Sequence, residues 1–273
     1  MKRALILLLL LPFVALAHDM APGAPQSKPV LLQGGDLYTV SHGILADTDL
    51  IFENGKIAKI GKGLETPEGA EVVDVRGKRV YPGLIAPATM IGLRDIDAAR
   101  PTRDDAEIGK IRPEVSAHIA FNPDSELIPT VRNHGIAVAQ VAPQGPMLRG
   151  RSFIANLDGW TKDDSAVRLV DGMFLEWPAV AKPDEVKPKS GISNRQRAEN
   201  ERIELRRAFD DARAYMLAKR AGTLLGTDLR WEAMIAVLER QQPLYVVAND
   251  ARQIAEAIAF ANAQEVRMVL VGG

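Results

Sequence analysis

The sequence predicts an α/β fold: a small β-sandwich segment, then a parallel sheet or barrel. Three observations carry this reading. Short alternating strands with turn signals fill 30–83. Pro82-Gly83 then punctuates the chain, and the apolar period changes. The last third alternates helical patterns of about 10–15 residues with apolar strands, which implies parallel strands joined by crossovers. With 273 residues, 47% hydrophobic and 25% charged, the chain is ordinary globular material, long enough for one large domain or two smaller ones.

Residues 1–17, MKRALILLLLLPFVALA, have a basic start at Lys2 and Arg3, an apolar run from Ala4 to Val14, and the cleavage signal Ala15-Leu16-Ala17. This is the order of a secretory signal peptide cut after Ala17. The run is shorter than the roughly 20 residues of a spanning helix and is broken by Pro12. The expected protein is periplasmic or secreted, has no membrane span after cleavage, and moves from a formal charge of −1 to −3. The stretch 18–29 is rich in Pro, Ala and Gly and reads as a flexible leader.

Within 30–82, the β-sandwich segment, 31–32 and 36–40 are candidates for a strand pair. Residues 49–52 and 56–60 form a hairpin on Asn54-Gly55, and 71–75 with 78–81 resemble a second hairpin. From 83 to 273 the elements lengthen. Leu84-Ile85 opens a short strand, 94–114 is irregular, 126–134 is a helical turn, and 136–142, 153–157 and 168–177 are strands. Residues 182–200, with Pro183 and Pro188, read as an exposed polar loop. Leu205, Phe209, Ala212 and Met216 recur at helical spacing up to about Lys219. Asp228 caps a helix through Leu238, and Asp250 with Gln253 has the capping-box spacing for a helix through Ala263. Strands at 244–248 and 266–271 complete the pattern.

The near-zero charge gives no electrostatic case for nucleic acid. With no cysteine, disulfides, Cys-ligated zinc, thiol nucleophiles and iron–sulfur clusters are excluded. Four histidines remain: His18, His42, His118 and His134. None has a second histidine at i+2 or i+4, so they read as terminus, turn and loop residues rather than ligands. Asp104-Asp105 and Asp163-Asp164 read as solvated loop carboxylates. Ser152 and Ser165 lack the G-x-S-x-G context of a nucleophile elbow, and no glycine-rich phosphate loop is present.

Several stretches go beyond pattern: "VVDVRGKRVYPGLI", "NPDSELIPTVRNHGI", "APQGPMLRGRSFIANLDGW", "FDDARAYMLAKR" and "PLYVVANDARQIAEAIAFANAQEVRMVLVGG". They resemble the amidohydrolase superfamily, in particular its imidazolonepropionase-like members, over essentially 31–273. The resemblance implies an incomplete TIM-type (β/α)8 barrel over 83–273 and a hydrolase acting on non-peptide carbon–nitrogen bonds. It also implies one or two divalent ions, zinc or another metal, held at the C-terminal ends of barrel strands to activate water. In the family the first two ligands are a His-x-His shortly after Pro-Gly-Leu-Ile. Here those slots hold Ala88 and Met90. Two later ligand slots resemble Val247 and Gly272. Alanine, valine and glycine side chains offer no donor, and a thioether is a poor ligand for such ions. No metal or other cofactor is therefore expected in this chain, and no catalytic residue is assigned.

By the family pattern, further barrel strands, a catalytic aspartate and closing β-sandwich strands would follow residue 273. Three functional readings stay open: hydrolysis surviving at a non-standard site, a non-catalytic partner or binding subunit, and a truncated fragment. The partner would be a second copy or an intact paralogue. If 244–248 and 266–271 are the fifth and sixth strands, the strands at Leu84 and Val266 are open edges. "VRMVLVGG" would then be an apolar edge prone to association.

Overall fold

A computed structural model describes residues 21–180 and 193–273. The expected signal peptide, His18 and positions 182–192 of the expected polar loop lie outside these residues. Two sheets organise the chain. The first contains β1 (Val30–Thr39), β2 (Gly43–Glu53), β3 (Lys56–Gly61), β4 (Glu71–Asp74) and β5 (Arg79–Val80), in the order β3-β2-β1-β4 with β5 also on β1. Asn54 and Gly55 both take positive φ, 52° and 70°, the two-residue turn that matches strand twist, so β2 and β3 form the expected hairpin.

Two other local expectations are corrected. Residues 31–32 and 36–39 lie on one strand, β1, and are not a pair. The register slips around Gly35, and buried Asp49 pins the irregularity by accepting from Gly34 N at 2.8 Å and Leu64 N at 2.9 Å. Nor do 71–81 form a hairpin, since β4 and β5 both run parallel to β1. The turn closed by Lys78 N donating to Val75 O (2.9 Å) steps the chain along β1 instead of reversing it.

The second sheet contains β6 (Leu84–Thr89), β7 (Ile136–Val141), β8 (Leu148–Asn156), β9 (Ala166–Glu176), β10 (Leu244–Val247) and β11 (Met268–Val271), side by side in chain order. Five of them run parallel, and β8 is antiparallel to both neighbours. The reason is connection length. Only 142–147 join β7 to β8, enough to reverse a chain but not to cross over, whereas a long helical crossover separates β9 from β10. With β6 and β11 unpaired on their outer sides among the described residues, this is an incomplete barrel sheet.

The helices are α1 (Ala117–Ala120), α2 (Leu127–Asn133), α3 (Lys162–Ser165), α4 (Asn194–Arg220), α5 (Leu229–Leu238) and α6 (Ala251–Ala263). α4 starts well before the apolar period that announces it. Ser193 caps it by accepting from Gln196 N at 3.1 Å, and its first turns are mostly polar, which is why 193–200 read as loop. α5 and α6 begin at Asp228 and Asp250 as expected, the latter with a complete capping box.

Leu205, Phe209, Met234, Val237 and Phe260 of α4, α5 and α6 pack on Met173, Leu175, Leu244 and Val246. A second cluster sets Phe121 and Ile128 against Ala139, Val141, Phe153 and Ala155. Strand alternation therefore turns Gln140, Phe174, Tyr245 and Val247 to the other, concave face. On the edge strands Leu84, Ile85 and Val269 are exposed, at 59%, 66% and 41%.

Candidate functional site

The parallel strands bring Thr89, Val141, Glu176, Val247 and Val271 to one end of the sheet. Ala88 stands near that end of β6 in a left-handed conformation, φ 51°, which is uncommon outside glycine. Its N–H donates to Gln140 Oε1 at 3.1 Å. Gln140 Nε2 in turn donates to Asp171 Oδ2 at 2.8 Å, and the Tyr245 hydroxyl donates to the same oxygen at 2.7 Å. Arg168 Nη1 reaches Asp171 Oδ1 at 3.2 Å. Asp171 joins this group because β9 is irregular. Ser152 pairs with Gly172 but Ile154 pairs with Arg168, so β9 carries extra residues that break the alternation. Burial, then the hydrogen bond and charge of Asp171, push the Tyr245 phenol up to about 12.

Sequence reasoning missed this cluster because its members sit on separate strands. The available signal was a polar residue interrupting each apolar stretch: Gln140 in IAVAQV and Asp171 in LVDGMFL.

A second polar pair lies at the strand ends. Arg149 is buried, ion-pairs with Glu176 and donates to Gln144 Oε1 at 3.1 Å. Burial pulls its guanidinium below the ordinary arginine range.

The residues at the positions that the resemblance implies for ligands do not fit a divalent ion. Ala88 and Val247 have no donor atom, and Met90 follows β6 with a thioether. Gly272 follows β11 at φ 92°, a conformation strained for any other residue, and a Cβ there would have to push the Asn249 side chain aside. Among the described residues, no three His, Asp or Glu side chains gather closely enough to hold a metal.

The other residues singled out from sequence are dispersed. His118 is not in a loop but on α1, buried edge-on to Phe153. Its Nε2 stands 3.0 Å from Asp163 Oδ1, within ion-pair range but off the line of a hydrogen bond. His134 ends α2, with Nδ1 2.7 Å from Thr130 O, and His42 is exposed beside Ser41. Asp105 departs from its expected solvated state: it is 3% exposed and ion-paired with Arg94. Asp104, Asp163 and Asp164 are exposed. Ser152 Oγ donates to Gly172 O at 3.3 Å, and Ser165 is buried in α3.

No family model matches the chain. A dihydroorotase of Trichlorobacter lovleyi is 48% identical over 56 residues, 20% of this chain and 13% of that protein. A D-hydantoinase of Geobacillus stearothermophilus is 37% identical over 81 residues, 30% of this chain and 16% of its own. The matched stretches thus span less than a fifth of these curated relatives. The crystal structure of an amidohydrolase from Thermotoga maritima superposes with a TM-score of 0.75 at 23% identity, covering 88% of this chain and 63% of that one. At that identity the likeness speaks for the fold. Local sequence identity to a dihydroorotase and a D-hydantoinase, and a fold shared with a solved amidohydrolase, support the resemblance to the amidohydrolase superfamily.

Proposed function

We propose that this chain is a non-hydrolytic amidohydrolase-fold protein, exported after cleavage at Ala17, that acts as a partner or binding subunit rather than as a metal hydrolase. One observation carries the reading. Where the family's metal-ligand strand ends, Ala88 offers only a backbone N–H, and the Gln140 side chain occupies it. Without a metal, a neutral-pH water stays a weak nucleophile. The carboxylates that could serve as a base instead are already engaged. Asp171 accepts from Gln140, Tyr245 and Arg168, and Glu176 is paired with Arg149. Among the described residues the outer sides of β6 and β11 are unpaired, and their exposed Leu84, Ile85 and Val269 favour partnership with a second copy or an intact paralogue.

The test is elemental analysis of the dialysed protein, with hydrolysis assays on dihydroorotate and a hydantoin, with and without added zinc. The expected result is well under one zinc, iron or manganese per chain and no turnover above the buffer rate. Chelator-resistant stoichiometric metal, or zinc-dependent turnover, overturns the proposal.

A further inference from the structure

A second polar site lies beside the C-terminal end of β7, where 104–120 folds over β8 around a cavity of about 450 Å³. Small-molecule sites run from roughly 300 to 1,000 Å³, so this volume suits a metabolite and not a polymer. Its walls are held by backbone bonds. Gln144 N donates to Asp105 O at 2.5 Å, Arg112 N to Leu148 O at 2.7 Å, and Arg151 N to Val115 O at 2.8 Å. Gly150 permits this lacing. At φ 119°, a Cβ on it would come within 2.6 Å of Val115 O. The cavity is therefore preorganised rather than a gap between loose loops.

Both charges line it. Arg112 Nη1 lies 3.5 Å from Glu114 Oε1, and Arg151 Nη2 donates to Glu114 O at 3.1 Å. These contacts leave much unused. Arg112 Nε, Arg151 Nε and Glu114 Oε2 are all buried with no hydrogen-bond partner among the described residues. Buried polar groups are nearly always paired, so two donors and one acceptor left over in one cluster need an explanation. Exposed Asp104 and Glu107 add negative charge, and Ser116 adds a hydroxyl, while neighbouring Asp105 is committed to Arg94. Burial pulls the Arg151 guanidinium below its ordinary range while the Glu114 charge opposes the shift.

We propose that this cavity binds a small zwitterion, of the size and charge of a free amino acid, with its carboxylate toward Arg112 and Arg151 and its ammonium toward Glu114 and the acidic rim. A planar guanidinium suits a carboxylate, and a carboxylate with a free oxygen suits an ammonium. The site uses none of the ligand slots on β6, β10 or β11, so it stands whether or not the chain hydrolyses anything.

The experiment is isothermal calorimetry on the exported full chain with the twenty free L-amino acids. Acetate and methylammonium are the single-charge controls. At least one amino acid should bind with Kd below about 1 mM and at least tenfold more tightly than either control. Arg112→Gln and Glu114→Gln should each weaken that binding about tenfold or more, with melting curves close to the parent. Arg112 is 39% exposed, so its variant should fold even if the one at Glu114 does not. The proposal is overturned if no amino acid binds, which would assign those polar atoms to solvent. It is overturned if acetate binds as well as any amino acid, which would make the cavity a simple anion site. Binding unchanged by Arg112→Gln in a folded protein would place the ligand elsewhere and also overturn it.

Discussion

Gln140 on β7 and Asp171 on β9 are joined by a 2.8 Å hydrogen bond that passes over the reversed strand β8 between them. With Tyr245 on β10 and the Ala88 N–H on β6, the bond links four strands through side chains on the concave face. Here neutral amides, a phenol and one carboxylate make the cross-connections, and each satisfies another's buried polar atoms.

The Tyr245–Asp171 bond should contribute measurably to stability. Tyr245→Phe keeps the ring stacked on Phe174 (4.9 Å between centroids) and removes only the hydroxyl. A hydrogen bond to a charged group contributes about 1.5–3 kcal/mol, and discounting for partial exposure leaves about 1 kcal/mol. That corresponds to a fall of roughly 2–4 °C in Tm for a domain of this size, read by calorimetry. The pH dependence has a definite sign. The folded phenol is raised above its ordinary value to about 12, so its contribution is complete below about pH 10 and fades as the pH rises toward 12. Tyr245→Phe should flatten that alkaline decline, and an unchanged decline would show that another group causes it.

Restoring the two histidines should not restore a metal site. In Ala88→His with Met90→His, the slots at Val247 and Gly272 still lack donors, so two imidazoles must hold the ion alone. Zinc should wash out on dialysis, leaving well under one per chain. Retention of one zinc against chelator would mean that Asp171, Glu176 or another carboxylate completes the site.

A side chain at Gly272 should cost stability. Gly272→Ala places a Cβ against Asn249 Oδ1 and holds a non-glycine residue at φ 92°. Strain of this kind is worth about 1–3 kcal/mol. A urea midpoint lowered by that equivalent is expected, and an unchanged midpoint would show that the turn after β11 rearranges freely.

The purified chain from residue 18 onward should associate through its sheet edges. β6 and β11 leave backbone groups unpaired among the described residues, and Ile85 and Val269 present apolar side chains beside them. Size-exclusion chromatography with light scattering should find dimers or larger species. Val269→Lys, a charge on the exposed edge, should move the distribution toward monomer. A monodisperse wild-type monomer with a sharp melt would refute the edge argument.

Export should leave His18 as the first residue, because 1–17 present basic, apolar and small-residue regions in the required order. N-terminal sequencing of the exported protein checks this, and a soluble species retaining Met1 would count against it.

The parts of this protein legible from sequence alone depend on nearest neighbours along the chain. The Asn54-Gly55 hairpin, the caps at Asp228 and Asp250 and the apolar runs of β7, β10 and β11 are local, since turn dihedrals and the first turn of a helix involve residues a few positions apart. That Ala88 and Met90 stand where the resemblance implies ligands is likewise a reading of motif and spacing alone. Direction and alignment were not legible in this way. The reversal of β8, the parallel placement of β4 and β5 on one edge of β1, and the early start of α4 depend on which backbone edge is free and what packs above it. The Gln140–Asp171–Tyr245 cluster is the clearest case. Its members are separated by 31 and 74 positions, and only the irregularity in β9 turns Asp171 toward the other two. A strand's sequence states which residues alternate. The register against its neighbours, set by tertiary packing, decides which side chains meet.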